Sequence, residues 1–218
     1  MDCKAVIFDL DGTLLDTLAD IADAANRVLA KHGHPTHAHQ AYKWFVGDGS
    51  RRLMTRALPE NQRRPQIIDA CLDGFIADYH RHWDKATRPY EGVVELLRVL
   101  QKKEIKLSVV TNKPHQFAAA MMKHYFKDTP FAPIFGQRDG IPKKPDPRQA
   151  LAAAEEMGVN PISCIFLGDS AVDMQTAHQA DMYPVGAGWG FRPIRELVEA
   201  GAARVLNHPL EMRQLIQA

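Results

Sequence analysis

Three short, almost continuous apolar runs in this chain each stop on a polar cluster. Ala5-Val6-Ile7-Phe8 leads into Asp9-Leu10-Asp11-Gly12-Thr13, Leu107-Ser108-Val109-Val110 into Thr111-Asn112, and Cys164-Ile165-Phe166-Leu167 into Gly168-Asp169. A strand that is apolar on both faces needs cover on both faces, which is the condition of a parallel sheet lying between helices. In such sheets ligands occupy the crevice outside the carboxyl ends of the strands. Polar groups far apart in the chain are therefore expected to meet at one site.

The alternation of strand and helix breaks off after Thr13 and resumes near Arg88-Pro89-Tyr90-Glu91-Gly92. The intervening segment has no convincing strand and reads as an inserted helical unit. Leu18, Ile21, Ala22, Ala25, Val28 and Leu29 recur at helical spacing, and Gly33 supplies a stop. A second amphipathic stretch carries Ile67, Ile68, Cys71, Leu72, Phe75, Ile76 and Tyr79, with shorter helical pieces around Tyr42 to Val46 and Leu53 to Leu58. From Glu91 onward helices and strands alternate: helix to Lys103, strand to Thr111, helix from Pro114 to Tyr125, strand from Ala132 to Phe135, helix to Met157, strand to Gly168. Further strands are expected near Tyr183 to Ala187 and Arg204 to Leu206. The expected fold is α/β, a doubly wound, Rossmann-like parallel sheet formed by residues 1–15 and 87–218, with helical residues 16–86 inserted.

Composition narrows the partners. With 27 Lys and Arg against 26 Asp and Glu in 218 residues, no basic field favours nucleic acid or an anionic membrane. No apolar stretch approaches the ~20 residues that span a bilayer. The first strand follows Met1 too closely for a signal peptide, so a cytoplasmic protein acting on a small molecule, as monomer or homodimer, is expected. Cys3, Cys71 and Cys164 are odd in number and widely spaced, which suits reduced thiols.

A carboxylate at the end of a buried strand is costly unless a cation or donors face it. Asp9, Asp11, Asp169 and Asp173 together imply a counter-ion, and Mg2+ is the economical choice because it takes oxygen ligands beside a substrate phosphate. Asp9 is placed to attack phosphorus. Asp11 follows it into a loop and is placed to protonate a leaving alkoxide and later deprotonate water. Positive partners for the transferring group are expected from Lys144 in Pro142-Lys143-Lys144-Pro145-Asp146-Pro147, with donors from Thr111 and Asn112.

Asp9-Leu10-Asp11-Gly12-Thr13-Leu14, Val110-Thr111-Asn112-Lys113, Lys144-Pro145-Asp146-Pro147 and Gly168-Asp169-Ser170-Ala171-Val172-Asp173, in that order, resemble the four signatures of the haloacid dehalogenase-like hydrolase superfamily. The resemblance spans nearly the whole chain. It implies Asp9 as nucleophile, Asp11 as acid/base, Thr111 and Lys144 as holders of the phosphoryl group, and Asp9, the Asp11 main-chain carbonyl and Asp169 as ligands of Mg2+. Asp173 would then support the metal or Lys144 from behind. The helical insertion resembles the superfamily's cap domain, expected to close over the site. Trp44-Phe45-Val46-Gly47-Asp48-Gly49-Ser50-Arg51-Arg52-Leu53, Val110-Thr111-Asn112-Lys113-Pro114 and Gly188-Trp189-Gly190-Phe191-Arg192 are similar to phosphoglycolate phosphatases. In that likeness Gly47 and Arg51 form a substrate-choosing loop in which the guanidinium pairs with a carboxylate, though Arg51 on a solvated helix face is an equal reading.

The acidic run is no EF-hand, because Gly12 comes too early and the closing Glu is missing. Gly186-Ala187-Gly188-Trp189-Gly190 has the wrong spacing for a dinucleotide loop and is expected to edge the phosphate site. His32, His34, His37 and His39 lack the spacing of a metal site and read as structural. A pyrophosphatase, nucleotidase, sugar-phosphate mutase or carbon–halogen hydrolase shares the fold, and a phospho-accepting signalling receiver shares the strand-end aspartate. The last two have no use for Asp11.

Overall fold

The computed structural model describes residues 2–216; Met1 and residues 217–218, and the side chain of Ala132, lie outside the description. Contacts divide the chain into two compact units, residues 1–15 with 89–218 and residues 16–88.

In the first unit, strands β1 (Ala5–Phe8), β4 (Lys106–Pro114), β5 (Phe131–Gln137), β6 (Cys164–Gly168), β7 (Tyr183–Ala187) and β8 (Arg204–Leu206) form one sheet in the order β5-β4-β1-β6-β7-β8. Every neighbouring pair is parallel. A separate two-stranded sheet pairs β2 (Leu15–Asp16) with β3 (Arg88–Pro89). The order runs outward from β1 in both directions, so the chain reverses its winding beside β1, and a crevice is expected at the carboxyl end of that strand. Ala5 faces Lys106 on one side and Cys164 on the other, and Phe8 faces Val109 and Leu167. The register thus brings the ends of the three apolar runs level.

Helices α5 (Val93–Lys102), α6 (His115–Tyr125), α7 (Arg148–Glu156), α8 (Ala171–Gln179), α9 (Ile194–Glu199) and α10 (Met212–Leu215) complete this unit. Ala150, Ala153 and Ala154 of α7 are buried against Ala5, Ile7, Val110 and Phe166. Small side chains at i, i+3 and i+4 give α7 a flat face that lies close on the sheet. Val93, Leu96, Leu97 and Leu100 form the buried stripe of α5, each worth roughly 1.5–3 kcal/mol when fully buried.

Helices α1 (Leu18–Lys31), α2 (His39–Phe45), α3 (Ser50–Ala57) and α4 (Pro65–His82) belong to residues 16–88. All six apolar positions expected on α1 are buried. On α4 the buried set is narrower than the expected one: Ile68, Cys71, Phe75 and Tyr79 are buried, while Ile67, Leu72 and Ile76 flank that stripe half-exposed. The expected strand ending at Thr111 runs on to Pro114, so Asn112 and Lys113 lie on β4 rather than beyond it. Asp20 of α1 is 3% exposed, and its carboxylate accepts hydrogen bonds from Ala86 N (2.9 and 3.0 Å), Thr87 N (2.8 Å) and Thr87 Oγ1 (2.7 Å).

The histidine-rich stretch has structural uses. His37 Nε2 lies 2.7 Å from the Ala57 carbonyl oxygen and its ring packs edge-on to Tyr42 and Phe45, while His39 Nε2 sits 2.7 Å from Asp23. The three cysteines are free thiols; burial pushes Cys3 and Cys164 up to about 11. Among the described residues no helix is long and apolar enough to cross a membrane.

Candidate active site

β1 ends at Phe8, and the next residue, Asp9, takes its main-chain hydrogen bond from the β6 side, donating to the Leu167 carbonyl at 2.9 Å. Its carboxylate is thereby fixed at the crevice, 12% exposed, with Oδ1 2.8 Å from Lys144 Nζ. Lys144 Nζ also donates to Asp173 Oδ1 at 2.6 Å and lies 5.6 Å from the centre of the Phe166 ring. Asp173 has no exposed surface. Its other oxygen accepts from Ser170 N (3.1 Å) and Ser170 Oγ (2.6 Å), so one side chain starts α8 and holds the lysine.

Asp169, at the end of β6, accepts a hydrogen bond from Phe191 N at 2.6 Å. It is hemmed in by glycines. A methyl group on Gly12 would stand 2.2 Å from Asp169 Oδ2, and one on Gly190 would stand 2.2 Å from Asp169 Cβ and 2.5 Å from the Gly12 carbonyl oxygen. Gly12 also has φ +87°, a region that disfavours other residues. Trp189 completes the clamp, its indole N–H donating to the Thr13 carbonyl at 3.0 Å. The glycine-rich loop after β7 thus edges the carboxylate cluster.

Oxygens of Asp9, Asp169 and Asp173 all lie within 4.8 Å of one another. Burial raises Asp9 to about 6, with Asp173 adding to the rise and Lys144 opposing it. Asp169 is held well above the usual carboxylate range by burial, then by Asp173 and Asp9. Burial alone would weaken the Lys144 ammonium, yet Asp173 and Asp9 outweigh it and keep the group charged. Asp9 Oδ1 is fully buried and has no aligned hydrogen-bond donor, despite its short contact with Lys144. Three buried carboxylates facing one ammonium, with an Asp9 oxygen that receives no aligned hydrogen bond, are a hard, under-neutralised donor set that fits a small divalent cation.

Asp11 lies outside this trio by its side chain. Both of its oxygens face Lys113 Nζ, at 2.9 and 3.2 Å. Sequence reading carried Lys113 only as part of a motif, because nothing local shows that β4 continues far enough to reach the β1 loop. Thr111 is buried, and its Oγ1 accepts from Lys113 N at 3.3 Å. Asn112, expected to bind substrate, has both ends of its amide on the main chain of the lysine loop: Nδ2 donates to the Lys144 carbonyl at 3.2 Å and Oδ1 accepts from Lys144 N at 2.9 Å. It fixes Lys144.

Gly47 and Arg51 belong to the helical unit. Gly47 lies between α2 and α3, and Arg51, at the start of α3, pairs with Asp69 of α4 on a half-exposed surface. Arg56, which sequence reading passed over, braces the loop from behind, donating to the Phe45 carbonyl at 3.1 Å and pairing with Asp48.

The family model for haloacid dehalogenase-like hydrolases matches residues 6–187. A phosphoglycolate phosphatase of Pseudomonas syringae pv. tomato is 34% identical over 218 residues, covering 98% of this chain and 78% of that protein. An N-acetylmuramic acid 6-phosphate phosphatase of Pseudomonas aeruginosa is 30% identical over 213 residues, covering 97% and 94%. The solved structure of a candidate phosphoglycolate phosphatase from Lactobacillus delbrueckii subsp. bulgaricus superposes with a TM-score of 0.94 at 30% identity, covering 99% of each chain. With four motifs gathered at the ends of β1, β4 and β6 and a family match across most of its length, this chain belongs to the haloacid dehalogenase-like hydrolases.

Proposed function

We propose that the protein is a Mg2+-dependent phosphatase that hydrolyses a small phosphate monoester, 2-phosphoglycolate foremost, through an aspartyl-phosphate on Asp9. The observation that carries this reading is the buried Asp9 carboxylate beside Lys144, with a second buried aspartate, Asp169, within ligand distance. An Asp9 oxygen attacks phosphorus while the bond to the leaving oxygen breaks, and Asp11 gives that oxygen its proton. Asp11 then takes a proton from water, whose oxygen attacks the same phosphorus. The bond to Asp9 breaks and phosphate is released. Lys144 and the Thr111 hydroxyl hold the phosphoryl oxygens. Asp9, Asp169 and the Asp11 main-chain carbonyl would hold Mg2+, which supplies positive charge against the transferring group. Residues 16–86 act as the cap that excludes water, with Gly47 and Arg51 on its substrate-choosing loop, and the enzyme works in the cytoplasm as a monomer or homodimer.

A second substrate reading, a larger sugar phosphate, is favoured by the 30% identity to the N-acetylmuramic acid 6-phosphate phosphatase. Phosphate release from a panel containing both esters, ranked by kcat/KM with and without EDTA, separates the two. Asp9→Asn is expected to abolish release with the circular dichroism spectrum unchanged. Substantial turnover by that variant would refute the covalent route.

A further inference from the structure

The site holds two buried lysines, Lys113 and Lys144. Lys144 serves Asp9 and Asp173. Lys113 serves Asp11, its own side chain 4% exposed and that of Asp11 12% exposed. We propose that Lys113 is a positioning residue that fixes the carboxylate plane of Asp11 for both proton transfers. The proposal rests on the reading of Asp11 as acid/base.

The need for such a residue follows from where Asp11 sits. Asp9 directly follows a central strand and inherits its rigidity, whereas Asp11 lies in the turn beyond, in which Thr13, Leu14 and Leu15 all donate to the Leu10 carbonyl. Nothing in that turn orients the Asp11 side chain. Lys113 approaches from β4, the neighbour of β1, and one ammonium reaching both oxygens at 2.9 and 3.2 Å sets the carboxylate's direction as well as its place. Its own main chain is tied back to Thr111 Oγ1. A strand thereby disciplines a loop residue. Misplacement of a reacting group by about 1 Å costs on the order of 10²-fold in rate.

The test compares Lys113→Met with wild type on an alkyl phosphate, 2-phosphoglycolate or the best ester of the panel, and on p-nitrophenyl phosphate, whose leaving group departs without a proton. Expected for the variant are a roughly 10²-fold lower kcat on the alkyl ester, a KM within about twofold of wild type, and, with the aryl ester in rapid quench, near-wild-type formation of aspartyl-phosphate followed by its accumulation. Lys113→Arg should recover at least about tenfold of the lost kcat. Mg2+ binding followed by calorimetry should match wild type. An unchanged kcat overturns the proposal, as does a loss confined to KM, which would make Lys113 a substrate-binding cation, or an equal loss on both esters with no accumulation. If Lys113→Met fails to fold, Lys113→Gln, which keeps most of the length without the charge, carries the same comparison. Asp11→Asn separates the two levels: full alkyl-ester turnover in that variant sinks the acid/base reading itself, whereas loss there with an unaffected Lys113→Met sinks only the role given to Lys113.

Discussion

Replacing Asp173 gives the most quantitative check on the site. Its carboxylate has no exposed surface and three partners, Lys144 Nζ at 2.6 Å and the Ser170 main-chain N–H and hydroxyl at 3.1 and 2.6 Å. Removing one partner of a buried ion pair costs about 3–5 kcal/mol when the other charge is stranded. Lys144 is not wholly stranded, because Asp9 remains 2.8 Å away, so the low end applies. In Asp173→Asn the amide oxygen can still accept from Ser170 and keep the start of α8, which leaves a loss of about 3 kcal/mol. Asp173→Ala also forfeits the capping interaction, worth about 1 kcal/mol more. Urea unfolding of both variants in EDTA, followed by circular dichroism and tryptophan fluorescence together, measures these losses and reveals whether the two units unfold separately. A double cycle with Lys144→Met should then show strong coupling, the paired substitution costing less than the two singles added. A loss below about 1 kcal/mol for Asp173→Asn, or an Asp173→Asn loss as large as that of Asp173→Ala, would refute this division of labour.

Burial holds Asp9 at about 6 against an ordinary 3.8, so folding favours its protonated form; its stabilising contribution is complete below the ordinary value and fades as pH rises through about 6. Asp9→Asn should therefore match wild type in stability near pH 4 and exceed it near pH 7 in EDTA, an advantage read from urea midpoints and erased by Mg2+. Gly190→Ala drives a methyl group into Asp169 and the Gly12 carbonyl, so it should cost about 1–3 kcal/mol and weaken Mg2+ binding by about 10–100-fold, measured by calorimetry. Asp20→Ala removes the acceptor of Ala86 N, Thr87 N and the Thr87 hydroxyl and should destabilise residues 16–88 by about 3 kcal/mol, visible as faster amide exchange at Ala86 and Thr87.

The strand-end residues were readable from the sequence because their signal is local. An apolar run closing on Asp9 or Asp169 states both that the strand is buried and that its last side chain meets the crevice. The role of Asp173 was legible only through the resemblance, which implies support of the metal or of Lys144; spacing alone puts it one helical turn beyond Asp169, and the contact itself, Lys144 Nζ to Asp173 Oδ1 at 2.6 Å, joins two distant loops. What escaped depends on register. Lys113 meets Asp11 only because β4 runs three residues past Thr111 and pairs with β1 in one register of several the pattern allows. Asn112, on the same extension, bonds to the Lys144 main chain, a contact that depends on the same register. The Trp189-Gly190-Phe191 clamp was visible as a glycine-rich loop, but its targets, Thr13 and Asp169, lie on other elements.

Under the proposed reaction, the sharing of Lys144 between two aspartates acquires a reason. Asp9 changes charge during the cycle, being a carboxylate before attack and an acyl phosphate after it, so an ammonium held by Asp9 alone would lose its anchor midway. Asp173 keeps its charge throughout and holds the nearer contact, 2.6 Å against 2.8 Å. Lys144 can then turn its attraction from Asp9 to the phosphoryl oxygens without leaving its place, and a preorganised charge needs no reorganisation when the transition state forms. The arrangement also accounts for the complete burial of Asp173: water at that carboxylate would weaken the one interaction that must not vary. Asp173→Glu, which keeps the charge but displaces it by a methylene, should accordingly lower kcat far more than it raises KM, whereas an equal effect on both would mean that Lys144 needs only a neutralising partner and not a fixed one.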